Sequence, residues 1–310
     1  MSNTATATNH AKIHEFRTIF ESSLGDIHAR TNSDPSQRCL ILSGGVDTCA
    51  ILSAAQTIGM TFAAALTVVT GDDSPDLGFA VACAKEHGIP HHHHHVIRLN
   101  ADELVSQFLP DVVTKLQIFN GMLIRNSLVI AAAFKKASEL GFKHAVVGDG
   151  ADELFGGYSF MWGNEDDPDG EWRKKRDGMC AQWTFSTQEL ASMYGMKQHS
   201  PYTEKKMVDW AIATTERKDC IGIRPIRLVY GGERVDHITG KVILREAYDT
   251  VASWRRKDPI EVGSGVTIIG HDPYWKDQIS DEEFETETTQ LLERGYRIDR
   301  KEILLIFECL

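Results

Sequence analysis

Two short stretches of the sequence combine glycines with acidic and hydroxyl side chains, which together can bind phosphate and a metal ion. In the first, residues 43–48 (SGGVDT), two glycines let backbone N–H groups turn toward one point, and the helix that follows adds partial positive charge. Asp47 would repel phosphate unless a cation such as Mg²⁺ lay between them. No Gly-Lys-Ser/Thr follows, so this is not a Walker A loop, and an ordinary capped strand-to-helix turn is the alternative.

The second stretch, residues 146–158 (VVGDGADELFGGY), places three carboxylates within five residues beside glycine turns. Asp149, Asp152 and Glu153 could hold Mg²⁺ or move protons. A solvated acidic turn is the alternative, but it would not require the two glycines and the aromatic residue that follow directly.

An alternation of strands and helices positions both stretches. The segments RCLILS, TFAAALTVVT, HHVIRL and HAVVG predict strands, and helical patterns lie between them. This order predicts an α/β fold with a parallel sheet flanked by helices. Because such sheets bind ligands at the carboxyl ends of their strands, the positions of both stretches favour a binding site there.

The remaining chain divides by composition. Residues 1–34 form a tail and a helix whose apolar face carries Ile13 and Phe16, residues 35–160 form the α/β core, and residues 161–310 are mainly helical. The polar segment WGNEDDPDGEWRKKRDG predicts a loop, whereas TQELASMYG and TEKKMVDWAIATT predict helices. The five consecutive histidines 91–95 are expected to lie on a strand, with two or three of them packed between sheet and helix, rather than to bind metal.

Composition narrows the classes of function. The net charge of −11 argues against a nucleic-acid partner, and no apolar run is long enough for a membrane span. The polar N-terminus lacks an apolar signal core, and the six cysteines contain no C-x-x-C pair. These features predict a cytoplasmic protein with reduced thiols; its oligomeric state cannot be read from the sequence.

Together the two glycine-rich stretches are similar to known signatures. Residues 43–48 resemble the pyrophosphate-binding turn (PP-loop) of the ATP pyrophosphatases, and GDGADELFGGY resembles the second signature of the asparagine synthetase family, in its synthetase domain. The segments DDSPDLGFAVACAKEHGIPHHHHHV, LIRNS, GKVILREAYDTVASWRRKDPIEVGSGV, ISDEEFETE and DRKEILLIFE also look like parts of that family. The resemblance runs from about Lys12 to the C-terminus and lacks a counterpart of the family's glutaminase domain.

The resemblance implies an AMP-forming carbon–nitrogen ligase that uses ATP and Mg²⁺. It implies that Asp47 and Asp152 bind the metal, that Lys257 neutralises charge on the α-phosphate, and that Asp149 accepts a proton from the attacking amine. Leu42, Val69, Val147 and Gly148 match positions that hold adenosine. The full set of expected ATP and pyrophosphate contacts is Leu42, Ser43, Gly44, Gly45, Val46, Asp47, Thr48, Val69, Val147 and Gly148.

One segment departs from the family pattern. In GMKQHSPYTE, Lys197 stands where the family usually has Glu, a charge reversal near the expected acceptor pocket that puts aspartate as substrate in doubt. Arg125, in LIRNS, is a second candidate substrate contact. The partners implied are a small carboxylic acid and ammonia or another amine, with ammonia supplied free or by a separate glutaminase chain.

Three other functions share some of these sequence features. An intramolecular amide or β-lactam synthetase shares the pattern, although Asp149 stands where those enzymes have tyrosine. A tRNA-thiolating enzyme shares the first turn, but the acidic charge and the missing cysteine pairs disfavour it. A non-catalytic nucleotide-binding subunit is the alternative outside enzymes, and the presence of Asp47, Asp152 and Lys257 argues against it.

Overall fold

The computed structural model describes residues 2–31, 34–117, 121–163 and 167–269, together with residue 290. Its centre is a five-stranded parallel sheet with strand order β3-β2-β1-β4-β5. The strands are β1 (Arg38–Ile41), β2 (Ala64–Val69), β3 (His94–Arg98), β4 (His144–Val146) and β5 (Lys197–His199). The prediction of an α/β fold with a parallel sheet flanked by helices is therefore confirmed.

Twelve α-helices lie within the described residues. They are α1 (Ser2–Arg30), α2 (Val46–Thr57), α3 (Pro75–Glu86), α4 (Ala101–Leu116), α5 (Gly121–Glu139), α6 (Ala151–Phe155), α7 (Pro168–Gln182), α8 (Ser186–Met193), α9 (Lys205–Thr214), α10 (Arg217–Cys220), α11 (Val242–Ala247) and α12 (Ile260–Gly263). Within this described part, no single helix is both long and apolar enough to cross a membrane.

Two apolar cores lie against the sheet. One joins Phe16 and Phe20 of α1 to residues of α2 and α3, and the other joins Leu104 of α4 to Leu128 of α5.

Local sequence determines where helices such as α4 begin. At the start of α4, the Asn100 side chain accepts the Glu103 N–H and the Glu103 carboxylate accepts the Asn100 N–H, which satisfies two backbone donors.

The strand order creates a crevice at the carboxyl edge of the sheet. The chain proceeds from β1 to β2 and β3 in one direction, and β4 pairs on the opposite side of β1. In open α/β sheets, ligands bind where the strand order reverses in this way. Both glycine-rich stretches follow the two strands that border this point, β1 and β4.

The structure corrects several expectations for the second half of the chain. Much of the segment expected to be a loop is α7, which begins at Pro168 with Asp167 as its cap and buries Trp172. Residues 161–310 contribute β5 to the central sheet, so the sheet includes residues beyond 160. It also contains an antiparallel hairpin that was not predicted, β6 (Gly222–Arg227) with β7 (Arg234–Thr239).

The structure also shows where the histidine run and the cysteines lie. The histidine run forms a short turn at His91–His93 and then enters β3, where His94 Nε2 lies 2.8 Å from Thr67 Oγ1 on β2. The five cysteines within the described residues are free thiols. The segments ISDEEFETE and DRKEILLIFE lie outside the described residues.

Candidate active site

The glycine turn after β1 packs so closely that it requires glycine. Gly44 has φ +71°, and a Cβ there would lie 2.5 Å from the backbone nitrogen of Ala80 and 2.8 Å from the carbonyl oxygen of Asp76. Gly45 caps α2, and its N–H donates to Ser43 Oγ at 3.2 Å. The turn therefore rests on α3 and leads directly into the first turn of α2, as a phosphate-binding turn would.

Asp47 lies in the first turn of α2 and faces a lysine that the sequence analysis did not single out. Its Oδ2 lies 2.6 Å from Nζ of Lys241. The backbone at Asp47 is fixed from the other side, because the Tyr202 hydroxyl donates to the Asp47 carbonyl at 2.8 Å. The second carboxylate oxygen, Oδ1, is buried and has no hydrogen-bond partner among the described residues.

Asp152, in α6, faces the same lysine and a second one. Its Oδ1 lies 2.8 Å from Lys241 Nζ, and its Oδ2 accepts a hydrogen bond from Lys257 Nζ at 2.8 Å. Gly157 makes room for this arrangement, since a Cβ there would overlap Asp152 Oδ1 and lie 2.6 Å from Lys241 Cε. The predicted metal ligands and the predicted catalytic lysine thus come together, and Lys241 completes the cluster.

Lys241 is the principal residue that sequence reasoning missed. It is buried, caps α11, and has φ +58°, a left-handed conformation that is uncommon for a residue other than glycine. Its N–H donates to the Phe155 carbonyl at 2.9 Å, which ties α11 to the end of α6. A signal was present, because Lys241 is the second residue of the GKVILREAYDT segment, which is part of the family resemblance.

Burial and charge act in opposite directions on this cluster. Burial lowers the pKa of Lys241, but the Asp152 and Asp47 carboxylates outweigh it, so the pKa is raised. Burial raises the pKa of Asp152, but Lys241 and Lys257 outweigh it, so the pKa is lowered. For Asp47, burial dominates and raises the pKa despite Lys241.

The donor atoms of the cluster fit Mg²⁺. Asp47 and Asp152 supply hard carboxylate oxygens, and Asp47 Oδ1 is a buried acceptor without a partner among the described residues. Mg²⁺ in phosphoryl sites is commonly held by one or two carboxylates together with substrate phosphates. Asp47 and Asp152 are the residues that would hold it here.

The loop that carries Lys257 is fastened to the glycine turn by Arg255. One guanidinium nitrogen of Arg255 donates to the Gly44 carbonyl at 3.1 Å and lies 2.9 Å from Asp76 Oδ1. The other nitrogen lies 2.9 Å from Asp258 Oδ2. This buried arginine therefore joins the two elements that flank the candidate phosphate position, two residues from Lys257.

An aromatic side chain also contacts Lys257. The ammonium lies 5.1 Å from the centroid of the Tyr158 ring, a cation–π distance. The Tyr158 hydroxyl donates to Glu153 Oε1 at 2.9 Å, which fixes the ring. Burial raises the pKa of Glu153, and the neighbouring Asp152 carboxylate raises it further. Glu153 and Tyr158 thus position one side of Lys257.

Asp149 is half-buried beside the cluster and has its own partners. Thr187 Oγ1 donates to Asp149 Oδ2, and Gln198 Nε2 donates to the same oxygen at 3.2 Å. Burial raises the pKa of Asp149 to about 7, with a smaller contribution from the Glu153, Asp152 and Asp47 carboxylates. A carboxyl group with a pKa near neutrality can accept and release protons under physiological conditions.

The expected adenosine contacts line the same edge of the sheet. Leu42 follows β1, Val69 ends β2, and Val147 and Gly148 follow β4. The three apolar side chains are buried. The structure therefore brings these positions to the carboxyl ends of three neighbouring strands, beside the glycine turn.

The two candidate substrate contacts lie elsewhere. Lys197 is exposed and begins β5, opposite His144 at the amino end of β4, whereas Asp149 follows the carboxyl end of that strand. Gln198, its neighbour on the other face of β5, is the residue that reaches Asp149. Arg125 donates to Glu261 Oε2 at 3.0 Å on α12 rather than contacting the cluster. The expectation that Lys197 reverses the charge of the pocket is therefore not supported.

The strand order, the glycine turn and the paired carboxylates define an ATP pyrophosphatase-like α/β protein. The family model described as Asparagine synthase matches residues 25–213. The chain therefore belongs to the asparagine synthase family. Lys241 and Lys257 lie beyond the matched range, and the structure joins them to Asp152 within it.

Curated relatives agree with this assignment. The chain is 25% identical over 226 residues to the probable asparagine synthetase [glutamine-hydrolyzing] of Dictyostelium discoideum, which covers 68% of this chain and 38% of the relative. It is 25% identical over 221 residues to asparagine synthetase B [glutamine-hydrolyzing] of Escherichia coli strain K12, which covers 69% of this chain and 37% of the relative. The chain thus spans well under half the length of these relatives.

Proposed function

We propose that the protein is an ATP-dependent amide-forming ligase that produces AMP and pyrophosphate. The cluster of Asp47, Asp152, Lys241 and Lys257 at the crevice between β1 and β4 is the observation that carries this proposal. In the proposed reaction, a substrate carboxylate attacks the α-phosphate of ATP, the α–β phosphate bond breaks, and pyrophosphate leaves. An amine then attacks the acyl-adenylate and displaces AMP.

The residues suit a reaction in which pyrophosphate departs. The glycine turn presents backbone N–H groups at the start of α2, where a helix end favours negative charge. Bound Mg²⁺ would supply neutralisation of the phosphate charge as it moves onto the leaving group. Lys241 and Lys257 are two buried or half-buried cations that would pair with phosphate oxygens when ATP enters. Arg255 and Tyr158 hold Lys257 in place for this role.

The second half of the reaction needs a proton acceptor. The attacking amine must lose a proton as the amide forms. Asp149 is a half-buried carboxyl group whose pKa is raised to about 7. Thr187 and Gln198 hold its Oδ2, which orients the carboxyl group. We propose Asp149 as the general base of the amide-forming step.

The names of the relatives suggest the chemical class of the substrates. The Dictyostelium and Escherichia coli proteins are named asparagine synthetases, so aspartate is the first acid to examine for this chain. Ammonia, another amine, or ammonia from a separate glutaminase are the nitrogen sources to compare. The exposed position of Lys197 supports including aspartate among these acids.

A pyrophosphate-release screen tests the proposal. Purified protein, ATP and Mg²⁺ are combined with a panel of carboxylic acids, with and without ammonia or glutamine, and AMP and pyrophosphate are quantified. We expect one acid of the panel to support the release of AMP and pyrophosphate in equal amounts. Lys257→Met is expected to lower the rate by more than about a hundredfold, as loss of a transition-state contact does. Lys205→Met, at an exposed lysine of α9, is the matched control and should leave the rate unchanged. ADP and phosphate as products would contradict the proposal.

A further inference from the structure

A cluster of metal-binding side chains lies at the end of α3, outside the site described above. One ligand atom each from Cys83, Glu86 and His87 lies within 4.8 Å of the others. The spacing i, i+3 and i+4 places these three side chains on one face of the helix. Cys83 is buried, His87 is half-buried and Glu86 is exposed, so the cluster opens to solvent on one side.

The distance between the sulfur and nitrogen ligand atoms matches that of a tetrahedral zinc site. With Zn–S near 2.3 Å and Zn–N near 2.1 Å, sulfur and nitrogen ligands of one zinc ion are about 3.6 Å apart. The Sγ of Cys83 lies 3.7 Å from Nδ1 of His87. A thiolate, an imidazole and a carboxylate together form a ligand set that favours Zn²⁺ over Mg²⁺.

Neighbouring groups would support bound metal from outside. His87 Nε2 lies 2.7 Å from Ser53 Oγ on α2, and zinc-binding histidines commonly use their second nitrogen in such a bond. Cys49, also on α2, is buried in the same apolar core as Cys83. Glu86 Oε2 accepts the Val251 N–H at 2.9 Å, which holds this carboxylate near the helix.

One contact must change when metal binds. Nδ1 of His87 also lies 2.9 Å from the carbonyl oxygen of Cys83, so in the metal-free form this nitrogen carries the proton and donates it there. On binding, the ring must also turn so that Nδ1 faces the metal instead of this carbonyl oxygen; the proton on Nδ1 is replaced by one on Nε2, and Cys83 loses its thiol proton to solvent.

We propose that Cys83, Glu86 and His87 form a site for a thiophilic divalent cation of the Zn²⁺ class, with water as the fourth ligand. Because Cys49 and Ser53 lie on α2, metal at this site would join the end of α3 to the helix that begins at the glycine turn. The proposal concerns a structural link and is independent of the proposed catalytic reaction.

Cobalt substitution tests the site directly. The full chain is stripped with a chelator and titrated with Co²⁺, and absorption is recorded. A sulfur-to-cobalt charge-transfer band that saturates at one equivalent is expected. Cys83→Ser should abolish the band, whereas Cys180→Ser, at a half-buried cysteine of α7, should leave it unchanged. Cobalt bound by the histidine run or by Asp47 and Asp152 would not give a sulfur band, so the readout distinguishes these sites.

A second variant tests the site even if Cys83→Ser does not fold. Glu86 is exposed, so Glu86→Gln should retain the circular dichroism spectrum of the wild type and weaken Co²⁺ binding at least tenfold. Glu139→Gln, at another partly exposed glutamate, is the control. Absence of a sulfur band in the wild type, its persistence in Cys83→Ser, or unchanged affinity in Glu86→Gln would each overturn the proposal.

Discussion

The ammonium of Lys241 lies 2.6 Å from Oδ2 of Asp47 and 2.8 Å from Oδ1 of Asp152, so one buried lysine bridges one acidic residue of each glycine-rich stretch. The residues come from α2, α6 and the start of α11, which are distant in sequence. Their convergence makes Lys241 both a structural link and a candidate phosphate contact.

Removing that ammonium should therefore destabilise the fold. Lys241→Met leaves Asp47 without its lysine partner and Asp152 with only Lys257, and breaking a buried ion pair in this way typically costs ~3–5 kcal/mol. Urea unfolding measures the free energy of unfolding. Lys205→Met, at an exposed pair on α9, should change it by less than about 0.5 kcal/mol. Equal stabilities of the two variants would contradict the bridging role.

The same variant tests whether the cluster accepts Mg²⁺. With the ammonium gone, two neighbouring carboxylates remain, and a divalent cation should replace the lost charge. We expect millimolar Mg²⁺ to raise the melting temperature of Lys241→Met more than that of the wild type. Adding Asp152→Asn to this variant should remove the effect. Identical responses of Lys241→Met and the double variant would show that these carboxylates do not hold the metal.

The fastening of Lys257 predicts a selective loss of activity. Arg255→Lys cannot reach the Gly44 carbonyl, Asp76 and Asp258 together, so the loop should move relative to the glycine turn. We expect turnover to fall by about tenfold or more while the circular dichroism spectrum is retained. Arg256→Lys is the adjacent control, because Arg256 is half exposed and pairs only with Asp258 among the described contacts. Comparable losses in both variants would contradict a specific role for Arg255.

Asp149 should give the protein a characteristic pH dependence. Its pKa is about 7 in the folded chain and 3.8 as the ordinary value, so between these values the folded state binds more protons than the unfolded state. Stability should therefore fall as pH rises from about 4 to 7. Asp149→Asn lacks this loss, so its free energy of unfolding should rise relative to that of the wild type from pH 5 to pH 8. The variant should also lose activity. Asp72→Asn, at an exposed carboxylate, is the control. A pH-independent difference would contradict the assignment.

The two neighbours on β5 should differ in their effects. Lys197→Glu changes an exposed side chain at the amino end of the strand and should leave turnover and acid preference unchanged. Gln198→Ala removes a hydrogen bond to Asp149 Oδ2 and should lower turnover and shift the pH profile. A large effect of Lys197→Glu on turnover would contradict this expectation and would indicate that Lys197 lies in the acceptor pocket.

The sequence predicted the parts of this protein that local pattern and short motifs specify. The strands β1 to β4, the glycine turn and the carboxylates Asp47 and Asp152 follow from alternation of elements and from residue type within a few positions. The α7 helix was missed because its many charged residues hide the burial of Trp172 and Arg176. Strand β5 has only three residues and carries no apolar pattern.

Lys241 and Gln198 could not be placed by pattern because their roles depend on distant partners. Lys241 contacts Asp47 across 194 positions of sequence, and Gln198 contacts Asp149 across 49. Lys197 and Gln198 lie on opposite faces of β5, so a shift of one position decides which of them faces Asp149. Long-range pairing of this kind becomes visible only in the folded chain.

Oxygen transfer is the measurement that tests the central proposal most directly. The acid found in the release screen is prepared with heavy oxygen in its carboxylate and converted with ATP, Mg²⁺ and ammonia, and the products are analysed by mass spectrometry. If the carboxylate attacks the α-phosphate, one heavy oxygen should appear in each AMP and none in pyrophosphate. Lys257→Met should reduce the labelled AMP in step with turnover, and Lys205→Met should not. Heavy oxygen in inorganic phosphate with ADP as co-product, or unlabelled AMP alongside amide, would contradict adenylation by this site.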